Sequence, residues 1–204
     1  MTEEEAKAWI AARFTSEALT KLERFVDLVL AEATKQNLVS AATLPEIWAR
    51  HIVDSAQLVI HAAERPGSWL DIGTGAGFPG MVAAALGRDV TMVEPRRKRV
   101  EFLGRSIAAL DLGSRAHIVL GKVESLPTRP FNVISARAVA ALPALLAGAV
   151  HCSNRETLWL LPKGRNAEAE VADARRTWHG TFHVEHSITD PSSLIVIANG
   201  VRRR

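Results

Sequence analysis

The stretch that decides the fold is Trp69 to Gly80, which reads W-L-D-I-G-T-G-A-G-F-P-G. Apolar residues lead into an aspartate, and four glycines follow within eight positions. This pattern predicts the end of a strand, a tight loop and the start of a helix. Two cofactors use nearly the same residues there. A nicotinamide dinucleotide needs G-x-G-x-x-G, and S-adenosylmethionine (SAM) needs an acidic residue before G-x-G-x-G. The chain contains both patterns, at Gly75, Gly77 and Gly80 for the first and at Asp71, Gly73, Gly75 and Gly77 for the second.

The apolar segments of the rest of the chain predict seven strands, at residues 68–72, 90–94, 116–120, 132–135, 157–161, 181–187 and 193–198. Helices are predicted between them, at residues 79–86, 97–110, 141–150 and 167–178. Such alternation favours a parallel sheet covered on both faces. The last two strands are joined through Thr189 to Ser192, a segment too short for a helical crossover, so these strands should form an antiparallel hairpin at the sheet edge. We therefore predict an α/β fold of the Rossmann-like class I type found in SAM-dependent methyltransferases, with a seven-stranded, mostly parallel sheet.

The residues before this sheet are predicted to be helical. Apolar residues recur at the spacing of an amphipathic helix at Leu19, Leu22, Phe25, Val26, Val29 and Leu30. A second helix is predicted at residues 43–63, with Pro45 in its first turn. The sequence Arg65-Pro66-Gly67 then breaks the chain. We expect a helical cap at residues 1–65, packed on the core, and a methyltransferase domain at residues 66–204.

The composition is that of an ordinary globular protein of 204 residues, with 48% hydrophobic and 23% charged residues. A single cysteine, Cys152, argues against an intramolecular disulfide and a thiolate-rich metal site. The acidic start lacks the apolar core of a secretory signal. The longest apolar run, residues 138–150, is shorter than the roughly 20 residues of a membrane span. We expect a soluble, cytoplasmic protein.

The formal net charge is only +3, but the cations are clustered. Eleven of the 25 lysines and arginines lie in four groups, at residues 96–99, 163–165, 175–176 and 202–204. These groups are either solvated surface or contacts for a phosphate backbone, and the sequence favours neither.

Acidic residues follow three successive predicted strands. Asp71 ends the first, where its partner is either the amino group of SAM or the backbone amides of its own loop. Because a dinucleotide carries an anionic pyrophosphate, Asp71 favours SAM. Glu94 ends the second strand and can accept hydrogen bonds from ribose hydroxyls. Val123 and Glu124 follow the third, where methyltransferases hold adenine, although Glu124 could instead be the charge at a helix start. Phe78 is either a pocket wall or core.

The residues after the fourth strand should face the methyl acceptor. They read I-S-A-R-A at residues 134–138, which offers the cation of Arg137 and lacks the Pro-Pro-aromatic motif of amino-methylating enzymes. Methylation at cytosine C5 needs a thiolate nucleophile, and Cys152 is expected to be inert core. No compact cluster of Asp, Asn and His suggests a metal.

These residues resemble the RsmG family, also called glucose-inhibited division protein B, over residues 19–198. The most specific matches are L-D-I-G-T-G-A-G-F-P-G at 70–80, I-S-A-R-A at 134–138 and L-P-K-G at 161–164, with N-L at 37–38 and R-H-I-V-D-S at 50–55. Two features depart from the family: Glu32-Ala33 replaces a Trp-Asn pair, and the basic run at 96–99 is denser. They put details of RNA contact in doubt.

The resemblance implies that the chain transfers a methyl group from SAM to N7 of a guanine in 16S ribosomal RNA of the small subunit, at guanosine 527 in the 530 loop. It implies a SAM site lined by Asp71, Gly73, Gly75, Gly77, Phe78, Glu94, Val123, Glu124 and Arg137. Arg137 would also face the guanine, and Lys163 and Arg165 the RNA. For His51 and Asp54, which share a helix face, we favour a structural bond between cap and sheet over RNA contact.

Guanine N7 has a lone pair and no proton, so we expect direct in-line attack without a general base, with Arg137 positioning the substrates. No metal and no membrane are expected, and we expect a monomer. Two other interpretations remain open. One is a nicotinamide-dependent reductase, which Asp71 and the terminal hairpin disfavour. The other is a non-catalytic RNA-binding or ribosome-assembly module, for which the basic groups would suffice.

Overall fold

One seven-stranded sheet forms the centre of the protein, in a computed structural model that describes all 204 residues. The strands are β1 (Ser68–Ile72), β2 (Asp89–Glu94), β3 (Ala116–Leu120), β4 (Val133–Ala136), β5 (Leu158–Lys163), β6 (Trp178–His186) and β7 (Leu194–Arg203). Their order across the sheet is β3-β2-β1-β4-β5-β7-β6. The first five pair in parallel, and β7 pairs antiparallel with both β5 and β6. The predicted class I fold is confirmed.

Seven α-helices accompany the sheet: α1 (Glu3–Ala11), α2 (Ser16–Ala33), α3 (Asp54–His61), α4 (Gly80–Ala85), α5 (Arg97–Ala109), α6 (Leu142–Ala149) and α7 (Ala167–Ala174). Thr2 and Glu5 close the first turn of α1 as a capping box, and Thr15 caps α2. Short 3-10 turns occur at Ala41–Glu46, Val123–Ser125 and Val150–Cys152. None of these helices is long and apolar enough to cross a membrane.

The N-terminal region differs in detail from the sequence expectation. The helix predicted at residues 43–63 is divided into the 3-10 turn, a π-helical turn at Trp48–Val53, and α3. Glu3 of α1 fixes the π turn, because its carboxylate accepts the backbone N–H groups of Trp48 and Ala49 at 3.0 and 2.9 Å. The prediction was wrong here because the apolar spacing of a π turn resembles that of a continuous helix, and π turns often mark functional sites.

Two other elements, α7 and β7, end at different residues from those predicted because of side-chain packing and strand pairing. The predicted helix 167–178 ends at Ala174, because Trp178 begins β6, where it and Phe182 are buried in the core. β7 runs five residues past its predicted end, because its last residues pair with the start of β6, Arg203 opposite Trp178. The paired length of this hairpin was underestimated, since polar residues occupy its outer half.

The hydrophobic core consists of two clusters, one on each face of the sheet. The larger contains residues of α1, α2 and the π turn together with residues of β1, α4 and α5. The smaller lies under α6 and α7. The helices before β1 therefore pack against one face of the sheet, and the π turn contacts Arg137 just beyond the carboxyl end of β4. The division at residue 65 stays a prediction.

Candidate functional site

Two cavities lie side by side where the parallel strands end. The first, which we call the Glu94 cavity, has a volume of about 390 Å³ and lies over the loops after β1, β2, β3 and β4. The second, the Arg137 cavity, has about 360 Å³ and lies between the π turn, the end of β5 and the tip of the β6–β7 hairpin. Ala138 lines both, with a φ of +56° that is rare outside glycine. Ligands of open α/β sheets bind at this edge, so the pair is the candidate site.

The glycine loop forms one wall of the Glu94 cavity. Gly73 lines it with a φ of +62°, and a Cβ there would lie 2.7 Å from a methyl group of Val139. Gly75 ties the loop to β2, since its N–H donates to Glu94 Oε2 at 2.9 Å. Gly77 faces inward, where a Cβ would lie 2.7 to 2.9 Å from core side chains. Only Gly73 of these three borders the cavity.

Glu94 borders the cavity and is itself 2% exposed. Its carboxylate accepts backbone N–H groups from Gly75 and Arg96, both at 2.9 Å, and Arg99 lies 3.9 Å away. These contacts fix the orientation of the carboxylate. Because each carboxylate oxygen has two lone pairs, it can accept further hydrogen bonds from a ligand.

Asp71 does not reach the cavity. It is fully buried, and its two oxygens accept the Ser135 hydroxyl at 2.7 Å and the Gly80 N–H at 2.9 Å. The Trp69 indole N–H donates in turn to Ser135 Oγ at 2.8 Å. Burial raises the pKa of Asp71 to about 6, although these hydrogen bonds oppose the shift. One of the two Asp71 partners is an amide of the loop, as weighed from the sequence, and the other is a hydroxyl of β4, so Asp71 holds the loop from behind.

Val123 and Glu124 border the Glu94 cavity on its far side, on the 3-10 turn after β3. A Cβ added at Gly148 of α6 would lie 2.9 Å from Glu124 Oε1, so the absence of a side chain at Gly148 leaves room for the Glu124 carboxylate. Together with Gly73 and Glu94, these two residues are the predicted cofactor ligands that line the cavity. Five other predicted ligands do not line it: Asp71, Gly75, Gly77, Phe78 and Arg137.

Phe78 lies in the core between the two regions. It is 3% exposed, its ring lies 5.4 Å from that of Phe25, and it stacks on His51 at 5.0 Å. The Arg137 guanidinium carbon lies 5.5 Å from its ring centre. Phe78 therefore supports the Arg137 cavity rather than forming a wall of the Glu94 cavity.

The hydrogen bonds of the Arg137 side chain all go to the N-terminal region. Its Nη2 lies 2.9 Å from His51 Nδ1, and its Nη1 donates to Asp54 Oδ2 and to the Arg50 carbonyl, both at 3.3 Å. His51 and Asp54 therefore connect the helical segment to the residue that follows β4, and their role relative to RNA stays a prediction. The side chain is 20% exposed, at the surface of the Arg137 cavity.

His51 is neutral near physiological pH. Burial, followed by the charges of Arg137 and Arg50, lowers its pKa to about 3. Since arginine can only donate, Nδ1 must accept from Arg137, and the ring proton lies on Nε2, which contacts Thr43 Oγ1 at 2.9 Å. His51 thus acts as a fixed acceptor that orients Arg137.

Asp54 connects Arg137 to the hairpin tip at residues 187–193. Its Oδ1 accepts from Gln57 and Ser187, both at 2.9 Å, and it is 9% exposed. Beside it, Arg50 and Asp190 form an ion pair at 2.7 Å. Gln57, Ser187 and Asp190 could not be identified from the sequence, because nothing in their local pattern indicates which distant carboxylate or cation they meet.

Lys163 and Arg165, the predicted RNA contacts, have different surroundings. The Lys163 side chain is 9% exposed and donates to Glu170 Oε2 at 2.8 Å and to the Ala140 carbonyl at 2.6 Å. It lines the Arg137 cavity together with Glu170. Arg165 is exposed at the surface nearby. No group of three His, Cys, Asp or Glu side chains is arranged to hold a metal ion.

Solved methyltransferase structures share the fold. The glycopeptide N-methyltransferase MtfA complexed with sinefungin superposes with a TM-score of 0.62 and 12% identity, covering 73% of this chain and 93% of that one. An O-methyltransferase from Bacillus cereus in complex with SAH has a TM-score of 0.57 and 18% identity, covering 86% and 90%. At these identities the likeness shows the fold alone.

Sequence relatives are much closer. A protein of Novosphingobium aromaticivorans named ribosomal RNA small subunit methyltransferase G is 48% identical over 97% of this chain and 88% of its own length. A protein of the same name from Rhizorhabdus wittichii is 45% identical over 100% and 95%. The family model GidB, described as rRNA small subunit methyltransferase G, matches residues 18–192. The resemblance inferred from the motifs is confirmed, and the chain belongs to the rRNA small subunit methyltransferase G family.

Proposed function

We propose that the protein transfers a methyl group from SAM to N7 of a guanine in 16S ribosomal RNA of the small subunit, at guanosine 527 in the 530 loop. The observation that carries the proposal is the pair of cavities that share Ala138. The first is lined by glycines, apolar side chains and charged side chains, and the second mostly by charged and hydrogen-bonding side chains. A cofactor and an acceptor base in these two cavities would meet across a single residue.

The residues of the Glu94 cavity suit SAM. Glu94 offers acceptors for two ribose hydroxyls, and Val123 and Glu124 offer an apolar surface and an acceptor for the adenine. Gly73 leaves main chain at the wall where a side chain would collide with Val139. The volume of about 390 Å³ is in the range of small-molecule sites. SAM, when bound, supplies an electrophilic methyl group on a sulfonium.

The Arg137 cavity suits a guanine edge. Arginine that donates to guanine O6 and N7 is the commonest specific contact between a protein and a base. His51, Asp54 and the Arg50 carbonyl orient the guanidinium, so it can hold O6 or a nearby phosphate without searching among rotamers. Such alignment can contribute roughly 7–11 kcal/mol to lowering a barrier.

No residue of the Arg137 cavity is needed as a general base. N7 already carries a free lone pair, so no proton has to leave it. His51, the one imidazole in the cavity, has a pKa of about 3 and its Nδ1 is occupied by Arg137. It is therefore far too weak a base to take a proton near neutral pH. The proposed contribution of the Arg137 cavity to the reaction is to position the guanine.

Methyl transfer from labelled SAM to small-subunit RNA and small subunits of a strain that lacks this protein tests the proposal. We expect label at one guanosine, and strand cleavage there after borohydride and aniline treatment, which detects N7-methylguanine. The matched control is the same RNA with 7-deazaguanosine at position 527, which lacks the nucleophilic nitrogen and should accept no label. Label retained on the deaza RNA would disprove N7 as the acceptor, and RNA binding without label would indicate a non-catalytic module.

A further inference from the structure

The connection between β4 and α6, residues 137–141, is held at two points of its main chain. Lys163 Nζ donates to the Ala140 carbonyl at 2.6 Å, and Glu170 Oε2 accepts the Leu142 N–H, just beyond the connection, at 2.6 Å. The same Oε2 lies 2.8 Å from Lys163 Nζ. Lys163 at the end of β5 and Glu170 on α7 therefore bind the main chain on either side of Ala141.

This connection is the wall that the two cavities share. Ala138 lines both, Val139 and Ala140 line the Glu94 cavity, and Arg137 lines the other. Val139 is 44% exposed, and Ala138 has a positive φ. Apolar packing therefore does little to fix the connection, and a strained backbone persists only where its surroundings hold it. Lys163 and Glu170 supply that support.

The surroundings of Lys163 do not resemble those of a phosphate contact. Its side chain is 9% exposed and that of Glu170 is 23% exposed. Two of the three ammonium protons are already directed to Glu170 and Ala140. A phosphate would have to compete with a charged partner 2.8 Å away. Arg165, which is exposed, has no such competitor among the ion pairs of the structure.

We propose that Lys163 and Glu170 are positioning residues, which set the distance between the two cavities by fixing the β4–α6 connection. The inference rests on the proposed methyl transfer. It assigns Glu170 a role in the reaction and gives Lys163 a role other than RNA contact. Neither side chain touches cofactor or base in this proposal; both act through Arg137 and the backbone around Ala138.

The test is Glu170→Ala, with Glu168→Ala as the control, because Glu168 lies on the same helix, is exposed and has no partner among the ion pairs. We expect single-turnover methylation to fall roughly tenfold or more, since small displacements of reacting groups cost that much. SAM affinity should weaken as well, because the wall belongs to both cavities. Glu170→Gln, which keeps an oxygen for the Leu142 amide, should recover most of the loss. Glu168→Ala should match wild type.

RNA affinity distinguishes the two roles of Lys163. If Lys163 contacts a phosphate, Glu170→Ala frees its ammonium, so RNA should bind more tightly and with a salt slope steeper by somewhat under one unit. That result would overturn the proposal. If the pair positions the connection, Glu170→Ala and Lys163→Met should both leave the salt slope unchanged. The double variant Lys163→Met/Glu170→Met should then be no worse than either single variant, since the pair acts as one unit.

Hydrogen exchange separates failure of this inference from failure of the proposed function. The Leu142 amide is protected by Glu170, so its exchange should accelerate in Glu170→Ala while the amides of β1 and β4 keep their rates. This readout needs no RNA and no turnover, and it also reports whether the variant is folded. Unchanged exchange at Leu142 together with unchanged SAM affinity would disprove the positioning role even if wild type methylates RNA. A wild type that methylates nothing would instead overturn the proposed function.

Discussion

The two cavities are built in different ways, although they share a wall. The Glu94 cavity lies over the loops that follow successive strands of one sheet edge, and its lining combines glycines with apolar and charged side chains. The Arg137 cavity is assembled from polar and charged side chains of the π turn, the β4–α6 connection, β5 and the hairpin tip, with partners as far apart as Arg50 and Asp190. The first has main chain at its wall where Gly73 lies, and the second depends on a network of hydrogen-bonded polar groups.

Because of this difference, we expect substitutions in the two cavities to affect ligand binding and stability differently. A side chain at Gly73 should remove ligand binding and leave the fold intact, because Gly73 is only partly buried and lies at the cavity wall. A change within the polar network leaves a buried partner unpaired, which costs stability as well as function. If a substitution at Gly73 also lowers stability, or one in the polar network lowers function alone, this distinction between the two cavities is wrong.

The largest effect is expected for Gly73→Val. The residue has a φ of +62°, and its Cβ would lie 2.7 Å from Val139, at the wall of the Glu94 cavity. A β-branched side chain there is strained and occupies cofactor space. We expect SAM binding measured by calorimetry to weaken at least about 100-fold, with circular dichroism near that of wild type.

The matched control for this prediction is Gly200→Val on β7. Gly200 has nearly the same φ, +64°, and a Cβ there would meet nothing within 4 Å. The Gly200→Val variant has the same backbone strain but at a site outside the cavity, so its SAM affinity should stay at the wild-type value. Equal loss of SAM binding in both variants would mean that strain, and not the cavity wall, accounts for the effect of Gly73→Val.

The second prediction concerns Arg137→Ala. Arg137 lines the second cavity and not the first, so single-turnover methylation should fall about 100-fold while SAM affinity changes by only a few-fold. The variant should also unfold at a lower temperature, because the Asp54 carboxylate loses its cation. Arg176→Ala, which removes an exposed arginine at the end of α7, is the control and should affect neither quantity. If SAM affinity and methylation fall together, Arg137 serves the cofactor.

The sheet edge at which the Glu94 cavity lies was predictable from sequence, although only four of the nine predicted cofactor ligands line the cavity. Strands and acidic residues alternate along the chain, and parallel strands bring their carboxyl ends to one edge, so Glu94 and Glu124 could be placed before any contact was known. Asp71 was identified as a buried carboxylate that needs partners. The sequence did not determine which, because Ser135 comes from β4, 64 residues away.

The Arg137 cavity was predictable only in part. Arg137 follows β4 and so had to lie at the site, and His51 and Asp54 share a helix face. Ser187, which donates to Asp54, and Glu170, which pairs with Lys163, could not be found, because no periodicity encodes which side chain a hairpin tip or a distant helix presents. The π turn that aims His51 at Arg137 was taken for an ordinary helix, since the two differ by a fraction of a residue per turn.

The third prediction uses the titration of His51. Its pKa is about 3 in the folded protein and 6.5 ordinarily. A lowered pKa contributes stability that is present above pH 6.5 and is lost as pH falls towards 3. At pH 4.5 the loss should reach about 3 kcal/mol. His51→Asn keeps an acceptor near the position of Nδ1 but does not titrate, so its free energy of unfolding should fall less steeply between pH 7 and 4.5.

Asp71 acts in the opposite direction, since its raised pKa contributes stability below pH 3.8 that is lost as pH rises through about 6. Because wild type and His51→Asn both contain Asp71, its effect cancels when their urea unfolding curves are subtracted. The control is His179→Asn, an exposed histidine of β6, which should run parallel to wild type. Parallel curves for His51→Asn would mean that His51 is not held neutral by burial.

The smallest expected effect is that of pH on the rate of the chemical step, which we expect to be nearly zero. His51 is neutral and Arg137 is charged throughout the range from about 6.5 to 8.5, and N7 needs no deprotonation. The single-turnover rate at saturating SAM should therefore be nearly flat there. Asp71, which holds the glycine loop, has a pKa of about 6, so a shallow change confined to the acid edge would be due to this loop and should vanish in Asp71→Asn. A steep rise up to pH 8.5 that survives Asp71→Asn would show that a general base exists, and that the Arg137 cavity does more than position its substrate.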